Sequence, residues 1–190
     1  MAFLLRVLFA LALGVGLGLL SADWAVREGP RFGALRIGPW RAYPDEGTPK
    51  ADPYEKARLA RTGAVSLAAG ESLVFRTETD DAGQVLDGSC DYRLSSPALP
   101  SRWWTLTAYD RDGRLMANPM ARYGFTSSEI LRQPDGGFII AVSPRARPGN
   151  WLPVSGSGLR LVLRLYDTPL AGGLGVEKPV MPSIERGMCG

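Results

Sequence analysis

The side chains available for chemistry in this sequence are carboxylates, guanidiniums, hydroxyls and two thiols, because none of the 190 residues is His. His supplies most general acid-base groups near neutral pH and is the commonest metal ligand. A Ser-His-Asp triad, a Cys-His dyad, a His-rich zinc site and a two-His-one-carboxylate iron centre are therefore excluded within one chain. Carboxylate, Ser-Lys, Tyr or thiol chemistry is left. Asp91, Asp110, Asp112, Glu129, Asp135 and Asp167 are the candidates for a glycosidase-like pair, which needs two carboxyls about 5 to 10 Å apart across one cleft. Asp110, Asp112 and Asp135 stand in turn sequences, where Asp is expected to bind backbone amides. No catalytic residue, metal ligand or cofactor is assigned.

The arginines and aromatics suggest binding rather than catalysis. In Leu159 to Tyr166, period-two alternation puts the leucines on one face and Arg160, Val162, Arg164 and Tyr166 on the other. Arg160 and Arg164 are expected about 7 Å apart in the pleat, where they could grip a carboxylate or phosphate, or else pair with Asp91, Asp110 or Asp167. The stretch Arg102-Trp103-Trp104-Thr105-Leu106-Thr107-Ala108-Tyr109-Asp110 splits the same way. Trp104, Leu106 and Ala108 make a core stripe. Trp103 and Tyr109, with their threonines, form a face suited either to stacking on a sugar or amphiphile or to a second covered apolar layer.

These positions need a scaffold, and the runs Leu73 to Thr77, Tyr92 to Leu94, Trp103 to Tyr109, Phe138 to Val142 and Leu159 to Tyr166 read as strands. Turn sequences such as Asp80-Asp81-Ala82-Gly83, Asp110-Arg111-Asp112-Gly113 and Asp135-Gly136-Gly137 bound them. Short strands joined by such turns predict an antiparallel sandwich or partly closed barrel over residues 52–190. One short helix opens that domain. Asp52 can cap it, Pro53 suits its first position, Glu55 stands where a capping box wants an acid, and Gly63 stops it. The Gly-rich segments at 155–158 and 171–175 lack the setting and the Lys of a phosphate loop and read as connections.

Residues 23–51 hold four Pro and four Gly, which predicts an extended arm whose Trp24, Trp40 and Tyr43 pack back on the domain or sit at a membrane interface. Before it, Val7 to Ala22 is an unbroken run of apolar and small residues. Leu20 and Ala22 fit a signal-peptidase site poorly, so residues 1–22 are expected to be an uncleaved anchor, with a cleaved signal as the alternative. About 20 residues at 1.5 Å each just cross a bilayer core of about 30 Å. Arg6 and the free amine bias the N-terminus to the cytoplasm and the folded part to the periplasm.

That compartment suits the two cysteines, Cys90 and Cys189, which are expected to pair in an oxidising environment. The net charge of +3 comes from 22 basic and 19 acidic residues scattered along the chain, with no basic stripe to track a phosphate backbone. Nucleic acid is not an expected partner.

Several elements together resemble domain of unknown function family 1214: Ala51-Asp52-Pro53-Tyr54, Cys90-Asp91-Tyr92, Leu99-Pro100 with Trp104, Asn150-Trp151-Leu152-Pro153, and Leu163-Arg164-Leu165-Tyr166. The resemblance covers about residues 38 to 190. It implies a mainly β, antiparallel β-sandwich of jelly-roll type, often found beside a second uncharacterised domain, family 1254. This chain lacks that domain, so a separately encoded membrane protein carrying it is an expected partner. The resemblance carries over no catalytic residue. Asn150 to Pro153 reads as a loop in which Trp151 plugs one end of the sandwich and Asn150 bonds the turn. Asn150, Trp151, Arg164 and Tyr166 are expected to share one pocket.

The resulting expectation is a membrane-anchored periplasmic binding or assembly module for an envelope protein, glycan or lipid, without cofactor, its candidate binding residues being Trp103, Tyr109, Asn150, Trp151, Arg160, Arg164 and Tyr166. The alternative is a carboxylate-based envelope hydrolase.

Overall fold

Asp52 and Gly63 delimit the short helix as their chemistry requires. In the computed structural model, which describes residues 2–27, 33–63, 71–172 and 179–190, the Asp52 carboxylate accepts the amides of Tyr54 and Glu55 at 2.8 and 3.0 Å, at the start of α2 (Pro53–Thr62). Gly63 takes φ +63°, a left-handed conformation costly to a side chain, and returns its amide to the Leu59 carbonyl. Glu55 pairs with Arg58 at 3.3 Å. The residues fall into two compact units, 1–33 with 45–66, and 34–44 with 67–190.

The first unit contains α2 and the apolar helix α1 (Ala2–Arg27), 26 residues and about 39 Å long. None of α1 is buried, and among the described residues it is the one helix long and apolar enough to cross a bilayer. It continues past Ala22 to Arg27, through residues expected to begin the extended arm. Its last carbonyls lack intrahelical donors. Arg58 supplies them, its guanidinium donating to Val26 O at 2.9 Å and Ala25 O at 2.5 Å, which also sets a cation at the negative end of the helix.

The second unit is mainly β. Its strands are β1 (Leu35–Ile37), β2 (Trp40–Ala42), β3 (Ser72–Thr77), β4 (Cys90–Ser96), β5 (Trp103–Tyr109), β6 (Gly124–Thr126), β7 (Phe138–Ser143), β8 (Asn150–Pro153), β9 (Arg160–Tyr166) and β10 (Ser183–Cys189). One antiparallel sheet runs β1-β2-β3-β9-β5-β6, and a second runs β10-β4-β7-β8. The second is antiparallel except that β8 lies parallel to β7. Residues 35–42, expected in the arm, are therefore a hairpin. Its Trp40 is fully buried and donates Nε1 to Pro182 O at 2.7 Å, just ahead of β10.

The inner faces of the two sheets share one apolar core. Leu161, Leu163 and Leu165 of β9 are at most 1% exposed, with Leu163 paired to Phe75 of β3 and Leu106 of β5. Across from them, Leu94, Ile140 and Val142 are fully buried. Trp104 of β5 stacks on Phe138 of β7 with ring centroids 4.6 Å apart, joining the sheets. At the edge, Gly124 of β6 runs so close to β5 that a Cβ there would lie 2.2 Å from Leu106 O. Cys90 and Cys189 face one another in the β4–β10 register and are disulfide-bonded.

Candidate functional site

The sequence-flagged residues of β5 and β9 do share a face, the outer one of the six-stranded sheet. Register sets Trp103 opposite Tyr166, Thr105 opposite Arg164 and Tyr109 opposite Arg160. Trp103 is 52% exposed while its neighbour Trp104 is 2% exposed, so the two indoles part as the alternation requires. Arg160 and Arg164 are separated by two pleat repeats rather than one, about 13 Å instead of the expected 7 Å. Among the described residues they share no carboxylate. Arg160 pairs with Glu78 at 2.5 Å, and Arg164 lies over the Tyr109 ring, 5.9 Å from its centroid, with a 3.3 Å bond to the hydroxyl.

Asn150 and Trp151 belong elsewhere. The segment expected to be a loop is strand β8 of the other sheet, so the expected grouping with Arg164 and Tyr166 is not formed. Asn150 is buried, accepts Leu131 N at 2.8 Å and donates to the Leu131 and Ile139 carbonyls at 2.8 and 2.9 Å. It fastens β8 and the 131 segment to β7. Trp151 plugs no end; it is half-buried beside Ala141, with Nε1 on Ser143 O at 3.0 Å.

Two concave surfaces lie along this four-stranded sheet. A depression of about 620 Å³ has Ile139 and Ala141 of β7 as its floor and Arg93, Arg132, Arg147 and Glu185 around it. A second, of about 640 Å³, shares Gln133 and Ile139 with the first and continues past Pro97, Pro134, Phe138, Val180 and Met181. Neither is lined by Trp103, Tyr109, Arg160, Arg164, Trp151 or Tyr166.

Asp91 organises the polar end. Oδ1 accepts the Ser143 hydroxyl at 2.6 Å, and Oδ2 accepts Arg145 at 2.9 Å and also Arg147. The connection from β7 to β8 is thereby clamped to β4. The Ser143 bond, followed by the Arg147 and Arg145 guanidiniums, outweighs burial and holds the Asp91 carboxyl below its ordinary range. Arg132 donates to the Gly136 and Ser127 carbonyls at 3.1 Å, bonds that leave its charge unneutralised. Arg93 is exposed on β4 opposite Glu185 of β10 but has no carboxylate within ion-pair distance among the described residues.

The other carboxylates named above are spread over separate turns. Asp110 Oδ1 accepts Arg114 N and Asp135 Oδ1 accepts Gly137 N, at 2.8 and 2.9 Å. Glu129 accepts Thr126 N at 3.2 Å, and Asp167 stands 3.8 Å from Arg102. Asp112 is exposed. Among the described residues no three His, Cys, Asp or Glu side chains gather to hold a metal. The sequence reading missed Arg93, Arg132, Arg147, Ile139 and Ala141. Alternation within CDYRLSS and FIIAVS signals an outer face, but only strand pairing brings those two faces side by side.

Residues 71–170, more than half of the chain, match the model of a family described as a protein of unknown function (DUF1214). The chain belongs to the DUF1214 family. The match runs from β3 through β9, so it contains the Asp91 clamp and both floor residues but not Glu185 or Cys189. Among solved structures, the VPA0106 protein from Vibrio parahaemolyticus is similar over 73% of this chain and 36% of its own, with 29% identity and a TM-score of 0.58. An uncharacterized protein from Burkholderia cenocepacia is similar over 60% of this chain and 28% of its own, with 20% identity and a TM-score of 0.42. This DUF1214 chain thus spans about a third of the length of those proteins. No curated protein matches it.

Proposed function

We propose that this DUF1214 chain is a non-catalytic binding module tethered to the inner membrane by α1, its β unit a sandwich of jelly-roll type facing the periplasm, and that an envelope component occupies the outer face of the four-stranded sheet. The carrying observation is the depression over Ile139 and Ala141, an apolar floor ringed by guanidiniums. Binding sites combine apolar surface with a few placed polar groups in this way. The Cys90–Cys189 bond supports an oxidising compartment, and α1 has the length and apolarity of an anchor. The carboxylate-hydrolase reading has less behind it. Among the described residues Asp91 and Glu185 are the carboxylates that line the depression, and both oxygens of Asp91 are engaged by Ser143, Arg145 and Arg147.

A photocrosslinking residue placed at Ala141 in intact membranes tests the reading, with Asp112 as the control position. Crosslinked adducts at residue 141 and none at 112 are expected. No adduct at 141, or equal adducts at both, overturns the site. A protein adduct carrying a 1254-type domain would identify the separately encoded partner.

A further inference from the structure

The two depressions differ in chemistry along one axis. They meet at Gln133 and Ile139. On the first side stand Arg93, Arg132 and Arg147, with Arg145 just beyond, against the carboxylates of Asp91 and Glu185. Among the described residues four guanidiniums face two carboxylates there, so the end carries a surplus of positive charge. Arg186, which also lines it, is neutralised separately by Asp80 at 2.9 Å. On the second side the lining turns to Pro97, Pro134, Phe138, Val180 and Met181, and among the described residues Asp135 is its one charged residue. Val180 is 66% exposed and Leu131, on the charged side, 65% exposed. Large aliphatic side chains held open beside cations favour a ligand that covers the first and pairs with the second.

We infer that this continuous groove binds a small anionic amphiphile, its carboxylate or phosphate head at Arg93 and Arg132 and its alkyl tail over Ile139 toward Val180. The inference rests on the binding reading above and names the class of ligand. Arg93 is the head's first partner because no carboxylate among the described residues holds it, and Arg132 adds a charge that its carbonyl bonds do not cancel. Arg93 stands opposite Ala141, two residues and about 7 Å of strand rise from Ile139 along β7. A chain of moderate length, laid along the strand, reaches the apolar end.

The test uses the full chain in nanodiscs of zwitterionic lipid and a diazirine-bearing medium-chain carboxylic acid, with mass-spectrometric mapping of the label. Octanoate, octyl phosphate, octanol and inorganic phosphate serve as competitors. The label is expected on segments 131–141 and 180–187, competed by octanoate or octyl phosphate and at least about tenfold more weakly by octanol. Competition by octanoate alone marks a fatty-acid-type head, and by octyl phosphate alone a phosphate ester. Arg93→Glu should weaken competition about tenfold or more, the usual weight of a charge-assisted hydrogen bond, with the Cys90–Cys189 bond and circular dichroism unchanged. Val180→Asp should weaken the octyl ligands but not inorganic phosphate. Equal competition by octanol, or no loss in Arg93→Glu, overturns the anionic head. Label confined outside the groove overturns the site. A protein adduct at residue 141 with no amphiphile label would leave the binding module standing and remove this ligand.

Discussion

Trp103 and Trp104 are adjacent, chemically identical and energetically opposite. Trp104 is stacked on Phe138 in the core, so Trp104→Ala should cost about 3 to 5 kcal/mol. Trp103, half in solvent, should cost about 0.5 kcal/mol, the scale of an ordinary surface change. Denaturant titration of both variants checks the pair; equal losses would mean that Trp103 is covered. Asp91 makes a second residue-level case. Removing its charge in Asp91→Asn leaves Arg145 and Arg147 without their carboxylate, a loss of about 2 kcal/mol for hydrogen bonds to charged groups. Because its folded value lies below the unfolded one of about 3.9, this stability is present above that pH and is lost as pH falls through the folded value. The gap between wild type and Asp91→Asn should be flat above about pH 5 and shrink below about pH 4, measured by urea denaturation across that range.

At the level of elements, the cysteines bind the C-terminal strand to the middle of the chain. The bond closes a separation of 99 residues and joins β10 to β4. In the chain-entropy picture, a loop of that length is worth about 4.7 kcal/mol. Cys189→Ser should therefore lower stability by a similar amount, and amide exchange should accelerate first in Ser183–Cys189. Uniform acceleration across β4, β7 and β10 would argue instead for one cooperative unit. The β10 strand also carries Glu185, Arg186 and Gly187 into the lining of the groove. Loss of the bond should thus weaken any ligand held there. The helix α2 and strands β3, β4, β5, β7 and β9 were legible in the sequence, since each has a cap pair or a clear period of two. Strands β1, β2, β6, β8 and β10 were not. They are short or broken by Gly and Pro, and their pairing comes from partners distant in the chain.

For the whole chain, the decisive measurement is the intact mass of the membrane-derived protein. Retention of Met1 to Ala22 is expected, together with a two-hydrogen deficit for the linked cysteines. A mass beginning after residue 22 would replace the anchor by a cleaved signal and leave the oxidising compartment in place. Residue type and local spacing were enough to read the absence of His chemistry, the apolar segment, the capped helix, the opposite faces of Trp103 and Trp104, and the family. These follow from composition, helical periodicity and the pleat, none of which needs a distant partner. The tertiary structure alone decided where a ligand could sit. Arg93 and Ala141 lie on strands 48 positions apart, and only the β4–β7 register makes their outer faces one surface. The register also sent Asn150 and Trp151 to one sheet and Arg164 and Tyr166 to the other. Side-chain alternation states that a residue points outward, but not which surface it shares, because that choice is made by backbone hydrogen bonds between segments far apart in sequence.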